Sequence, residues 1–130
     1  HTADIAIKAY GKDLRELFTN TAFGMFDILA DLSGLKKSVS IDVNLEAPSR
    51  EELLIAWLDE LLYDFYTKGI IFCDFDIVDI ADTKLKARVH GRHVGDNKNR
   101  LKTEIKAATY HNLEIKKDKE NLSVEIVFDV

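Results

Sequence analysis

Val39-Ser40-Ile41-Asp42-Val43-Asn44-Leu45-Glu46-Ala47-Pro48-Ser49-Arg50-Glu51-Glu52 carries the plainest structural signal in the chain. Apolar Val39, Ile41, Val43, Leu45 and Ala47 alternate with polar Ser40, Asp42, Asn44 and Glu46, the two-residue period of a half-buried strand. Pro48 stops the strand. Ser49 with Glu52 three residues on is a capping box, in which the serine oxygen takes a first-turn amide. Leu53, Leu54, Trp57, Leu58, Leu61, Leu62 and Phe65 then recur at helical spacing, and Gly69 closes the helix. Each of those side chains contributes roughly 1.5–3 kcal/mol on burial, so this helix is expected to be the main clamp on a sheet.

The same grammar extends in both directions. Upstream, Ile5, Ile7 and Ala9 alternate into a first strand that Gly11 breaks. Asp13 and Glu16 repeat the capping box, and Leu14, Leu17, Phe18, Thr21, Met25, Phe26 and Leu29 predict a helix to about Asp31, ended by Ser33-Gly34. Downstream, Ile71, Cys73, Phe75 and Ile77 form a third strand turned at Ala81-Asp82. Leu85, Ala87 and Val89 form a fourth. Residues 92–102 read as a mobile surface loop. Leu113 and Ile115 begin a strand, 117–121 is a turn, and Leu122, Val124, Ile126 and Phe128 alternate to the end. The order predicts one α+β domain over 1–130: a two-layer sandwich of two main helices on a largely antiparallel sheet.

Composition narrows the function classes. A length of 130 residues suffices for a core without staples. The net charge of −5 disfavours a protein that binds nucleic acid by neutralising phosphates, so any RNA role is expected to be indirect. One cysteine, Cys73, excludes an internal disulfide and a cysteine-based zinc site. No apolar run approaches the ~20 residues of a membrane span, and no signal peptide is visible. These bounds predict a soluble cytoplasmic domain.

Two places concentrate chemistry. Thr103-Glu104-Ile105-Lys106-Ala107-Ala108-Thr109-Tyr110-His111 sets a cation, a phenol and an imidazole in an otherwise apolar segment. Whether extended or one helical turn, it is expected to bring Lys106 beside Tyr110, where an anion could be received. The plainer reading is a surface lysine whose stem covers apolar area. The second place is the pair of chain ends. By strand parity Asp4 points away from Ile5 and Ile7, and Asp129 away from Phe128 and Ile126. If the terminal strands are neighbours, these carboxylates converge with the α-carboxylate of Val130 into a hard-oxygen site for Ca²⁺ or Mg²⁺. Otherwise each merely ends a strand in water. Glu16 is accounted for by its capping box, yet lies across the helix from Leu14, where a partner can touch it. His1, His90, His93 and His111 show no metalloprotease spacing, and no serine sits in a nucleophile elbow. There is no phosphate-binding loop, so a self-contained enzyme is poorly supported.

The chain resembles the archease family along its whole length. The resemblance rests on His1-Thr2-Ala3-Asp4-Ile5, on Ala22-Phe23-Gly24-Met25-Phe26-Asp27, and on the run from Leu53 to Tyr63. Ile105-Lys106-Ala107-Ala108-Thr109-Tyr110-His111 and Val127-Phe128-Asp129-Val130 complete it. It implies an archease fold related to the SHS2 type, with only a short leader before His1. The implied function is that of a protein cofactor of the RtcB-type RNA ligase. Such a cofactor would promote guanylylation of the ligase from GTP and its repeated turnover in tRNA splicing and RNA repair. Carried over residue by residue, the resemblance implies a divalent cation at Asp4, Asp129 and Val130. Ca²⁺ is first choice, with Mg²⁺ or Mn²⁺ as substitutes. It also implies ligase-activating roles for Glu16 and Lys106. Two departures stand out: Arg92 follows Gly91 where similar sequences carry an acid, and Asn99 replaces a loop histidine. The competing readings are a chaperone-like modulator of RNA-modifying enzymes such as methyltransferases, and a metal-dependent phosphoesterase.

Overall fold

A computed structural model describes residues 4–130. Its strands are β1 (Asp4–Gly11), β2 (Val39–Glu46), β3 (Ile70–Ile80), β4 (Lys84–His93), β5 (Ala107–Ala108), β6 (Lys116–Asp118) and β7 (Asn121–Asp129), and its helices are α1 (Leu14–Leu29) and α2 (Arg50–Lys68). The α+β class expected from the element order stands. The strands divide, however, into two antiparallel sheets. One runs β1-β7-β5 with β6 also on β7, and the other runs β2-β4-β3. Both helices touch strands of both sheets, α1 against β1, β7 and β3, and α2 against β5, β3, β2 and β4.

The local rules explain the elements. Asp13 accepts from the Glu16 amide at 2.9 Å, and Ser49 from the Glu52 amide at 3.2 Å, the N-cap half of each capping box, while the glutamates take the Lys12 amide and the Ser49 hydroxyl in place of the N-cap amides. Gly69 ends α2 in the left-handed region at φ 64°, which only glycine enters without cost. Between the sheets Phe26 meets Phe72 at 5.5 Å and Phe65 at 5.9 Å, both edge to face. Trp57 is fully buried and donates its indole N–H to the Phe18 carbonyl at 3.0 Å.

Helix α1 stops at Leu29, two residues before the expected end, and Ser33-Gly34 plays no part in stopping it. A distant segment does the work. Ala30 bridges Leu101, the amides of Lys102 and Thr103 donate to the carbonyls of Leu29 and Ile28 at 2.8 and 3.1 Å, and Lys102 Nζ reaches the Asp27 carbonyl at 2.6 Å. Orphan carbonyls are thereby satisfied, and an ammonium sits at the negative end of the helix. The loop read as mobile is thus anchored. It contains a 3-10 turn, Gly95–Arg100, and Arg100 donates to the carbonyls of Asp31 and Ser33 at 3.0 and 2.7 Å. Its anchors are long-range main-chain contacts, which leave no local sequence signal.

Gly91 lies inside β4, not at its end, and pairs with Val39 and Phe72. A Cβ there would collide with the main chain of Ile71, so the close approach of β3 demands glycine.

Candidate functional site

The strand pairing brings the chain ends together. β1 and β7 are antiparallel neighbours, with Asp4 directly opposite Asp129 and Ile5 opposite Phe128. Phe128 is buried, so Asp4 and Asp129 lie on the outward face. Residues opposed in this way hold their Cβ atoms about 4.5–5.5 Å apart, and like charges there repel. Among the described residues no cationic side chain pairs with either carboxylate. The donor set is therefore two hard oxygens in one place, which fits Ca²⁺, Mg²⁺ or Mn²⁺ and not a thiol-seeking metal. No cluster of three His, Cys, Asp or Glu occurs among the described residues, where Val130 is the residue next to Asp129 that could add an oxygen.

Lys106 reaches the same end of the sheet from the other side of β7. Its amide donates to the Asp129 carbonyl at 2.7 Å, and the next residue, Ala107, lies opposite Asp129 in the ladder. Asp129 is thus flanked by Asp4 on one side and by Ala107, one residue from Lys106, on the other.

Lys106 and Tyr110 are both exposed, and among the described residues no hydrogen bond or cation–π stacking joins them. Among the described residues the cation over a phenol is Lys8, 5.8 Å from the Tyr10 ring centre. The segment itself is neither a regular strand nor a helical turn. Ile105 and Ala108 are both buried although they have opposite parity, and the amides of Lys106 and Thr109, three residues apart, both donate to β7. A broken two-residue period redirects every side chain after it.

Glu16 is elsewhere. Its carboxylate accepts from the Lys12 amide at 3.0 Å, and its main chain packs against Gly11, at the far end of β1 from Asp4. β1 is eight residues long, so its two ends, one beside Glu16 and the other at the carboxylate pair, lie roughly 20 Å apart.

Three groups that the sequence did not single out hold the 105–115 segment from the helix side. The Tyr66 hydroxyl donates to the Ile105 carbonyl at 2.7 Å and accepts from the Ile105 amide at 3.2 Å. Asp59 accepts from the Ala108 amide at 3.4 Å, and Glu51 from the Ile115 amide at 2.9 Å. Burial pushes the Asp59 carboxyl above the ordinary carboxylate range, partly offset by the Ala108 N–H. Burial likewise raises the Tyr66 phenol. On sequence grounds these residues resemble a solvated helix face. The available signal was their spacing along α2, with Asp59 and Tyr66 seven apart on one side.

The other histidines and the cysteine lie apart from this site where the structure describes them. His111 is exposed and touches Asn112 at 3.3 Å, and His90 bonds Ser40 at 2.7 Å. His1 and Thr2 lie outside the described residues. Cys73 is half-buried, with its thiol pushed up by burial and by Asp74. An open cleft of about 560 Å³ beside it, lined by Phe23, Asp27, Lys37 and Asp74, includes none of the site residues. No helix among the described residues is long and apolar enough to cross a membrane.

The model of the Archease protein family (MTH1598/TM1083) matches residues 1–130. The chain is similar to the protein archease of Methanosarcina acetivorans, 36% identical over all of this chain and 92% of that one. It is also similar to that of Pyrococcus furiosus, 37% identical over 90% of this chain and 84% of that one. The solution structure of protein 1598 of Methanobacterium thermoautotrophicum superposes with a TM-score of 0.78 at 30% identity, covering 100% of this chain and 94% of that one. A Thermotoga maritima crystal structure described as an archease, possible chaperone, shares the fold with a TM-score of 0.70 at 23% identity, over 100% of this chain and 93% of that one. With a family model spanning every residue, and relatives above 30% identity matched over most of their length, the chain belongs to the archease family.

Proposed function

We propose that this protein is an activating partner of an RtcB-type RNA ligase, promoting the ligase's guanylylation from GTP and its repeated turnover in tRNA splicing and RNA repair. It acts in the cytoplasm as a protein cofactor, without catalysing the ligation itself, and meets RNA only through the ligase. The observation that carries this reading is the convergence of Asp4, Asp129 and Lys106 on one end of one sheet, in a chain that belongs to the archease family throughout.

Asp4 and Asp129, with an oxygen of Val130, would hold a divalent cation, Ca²⁺ in the first instance. When bound, the cation supplies positive charge that neutralises the carboxylate pair and can attract phosphate oxygens. The chain's own residues do the rest. Lys106 is exposed, and its main chain is tied to Asp129, so its ammonium can be offered to the phosphates of GTP at the edge of the ligase's site. Glu16 makes a separate contact on the ligase, since it is too far away to share the atoms that Lys106 touches. The net charge of −5 complements a partner that is basic because it binds RNA.

A second reading, a chaperone-like modulator of RNA-modifying enzymes, draws on the description of the Thermotoga maritima protein as a possible chaperone. The rate at which a cognate ligase accepts labelled guanylate from GTP separates the two. The expected result is marked acceleration by this protein, falling about a hundredfold in Lys106→Ala and Asp129→Ala, the scale of losing one positioned charge. Acceleration that survives both substitutions would overturn the assignment of the site. No acceleration by the folded, Ca²⁺-loaded protein would favour the chaperone reading.

A further inference from the structure

We propose that Tyr66 is a positioning residue for Lys106, assisted by Asp59, and that helix α2 thereby fixes the direction in which the lysine is presented. The proposal rests on the reading of Lys106 given above. Its basis is the pattern of bonds along four residues. The Tyr66 hydroxyl holds both the carbonyl and the amide of Ile105, at 2.7 and 3.2 Å. The Lys106 amide is held by the Asp129 carbonyl at 2.7 Å. The Ala108 amide turns back to Asp59 at 3.4 Å. The chain on either side of the lysine is therefore bonded alternately to α2 and to β7.

An ordinary sheet edge would leave the outward groups of Ile105 and Ala108 to water. Here they face a helix whose side chains stand in for a strand. β5 has only two residues, so the side-chain bonds from α2 act together with the bonds to β7 in fixing where Lys106 lies. Tyr66 suits the task because its ring is braced edge to face on Phe65 at 4.8 Å, and its hydroxyl can both donate to and accept from Ile105. Ile105 itself is fully buried, so its main-chain groups have no water to turn to when the hydroxyl is removed. Tyr66 is 47% exposed, so Tyr66→Phe removes one oxygen without emptying the core.

The test uses the whole protein with its ligase and compares Tyr66→Phe with Lys106→Ala. For Tyr66→Phe, maximal stimulation of guanylate acceptance should fall about tenfold, on the scale by which small misplacements reduce reaction rates. The protein concentration giving half-maximal effect should not change. In the free protein the Ile105 amide should exchange with solvent faster, a readout that needs no ligase. Asp59→Asn keeps an acceptor for Ala108 and should keep stimulation, whereas Asp59→Ala should lose part of it.

Full stimulation by Tyr66→Phe while Lys106→Ala is inactive would overturn the positioning role and leave the lysine's role standing. Full stimulation by Lys106→Ala would overturn the role of the lysine, and the proposal with it. A raised half-maximal concentration with unchanged maximum would make Tyr66 a contact with the ligase, which also overturns the proposal.

Discussion

The outward faces of the two sheets are built on opposite principles. On β2-β4-β3 three basic residues of the middle strand look across at acids: Arg88 lies between Asp42 and Asp76, Lys84 faces Glu46, and Lys86 faces Asp79. The register slip between Ile77 and Asp79 brings that last acid opposite its lysine. Two of these pairs close to 3.5 and 3.6 Å. On β1-β7-β5 one such pairing exists, Lys8 opposite Glu125, but the end of the ladder sets Asp4 against Asp129. The second sheet sets opposite charges against each other along most of its middle strand, as a scaffold does. The first leaves one pair in conflict, and a conflict that folding retains is where a ligand has something to gain.

The contrast can be broken or sharpened experimentally. The largest effect should come from the helix layer both sheets share. Trp57→Ala removes a fully buried indole and should cost about 3–5 kcal/mol, with both sheets melting in one transition. Separate transitions in a denaturant titration would show that the sheets are independent. Next in size is the response to cation. Ca²⁺ at a hundredfold excess over its Kd should stabilise the protein by about 2.7 kcal/mol, and Asp129→Asn should abolish the gain. An equal response in that variant would remove the carboxylate pair as the binding site. On the scaffold side, Arg88→Asp creates three acids in a row and should cost about 1 kcal/mol, with no benefit from Ca²⁺. A calcium response appearing there would blur the distinction between the two faces.

The smallest effect concerns pH. The Asp59 carboxyl is held above the ordinary carboxylate range by burial, so the folded chain binds that proton more tightly than the unfolded one does. Its contribution to stability is complete below the unfolded pKa, and is lost as pH rises above about 4 and through the raised folded value. Asp59→Asn should flatten that part of the stability curve. An unchanged slope would assign it to another group.

What could be read in advance follows from how local each signal is. The capping boxes at Asp13 and Ser49 and the alternation of β2 are set within four to eight residues, and they appear as expected. The opposition of Asp4 and Asp129 followed from parity at two strand ends, once β1 and β7 were neighbours. The division into two sheets did not follow, because pairing is a long-range choice that alternation does not encode. The end of α1 was misjudged for the same reason: its stop signal comes from Leu101, Lys102 and Thr103, about seventy residues downstream. Tyr66 and Asp59 were illegible because a polar residue that bonds to a distant backbone looks, in sequence, like one that bonds to water.

The length of β1 has one more implication. Glu16 and the Asp4–Asp129 pair sit at opposite ends of that strand, roughly 20 Å apart, farther than a single nucleotide can bridge. Whatever engages both must cover the strand from end to end, which is the footprint of a protein surface of about 800 Å². The strand thereby acts as a gauge of size: a small phosphate ligand can meet the lysine, but only a macromolecule can meet the lysine and the glutamate together.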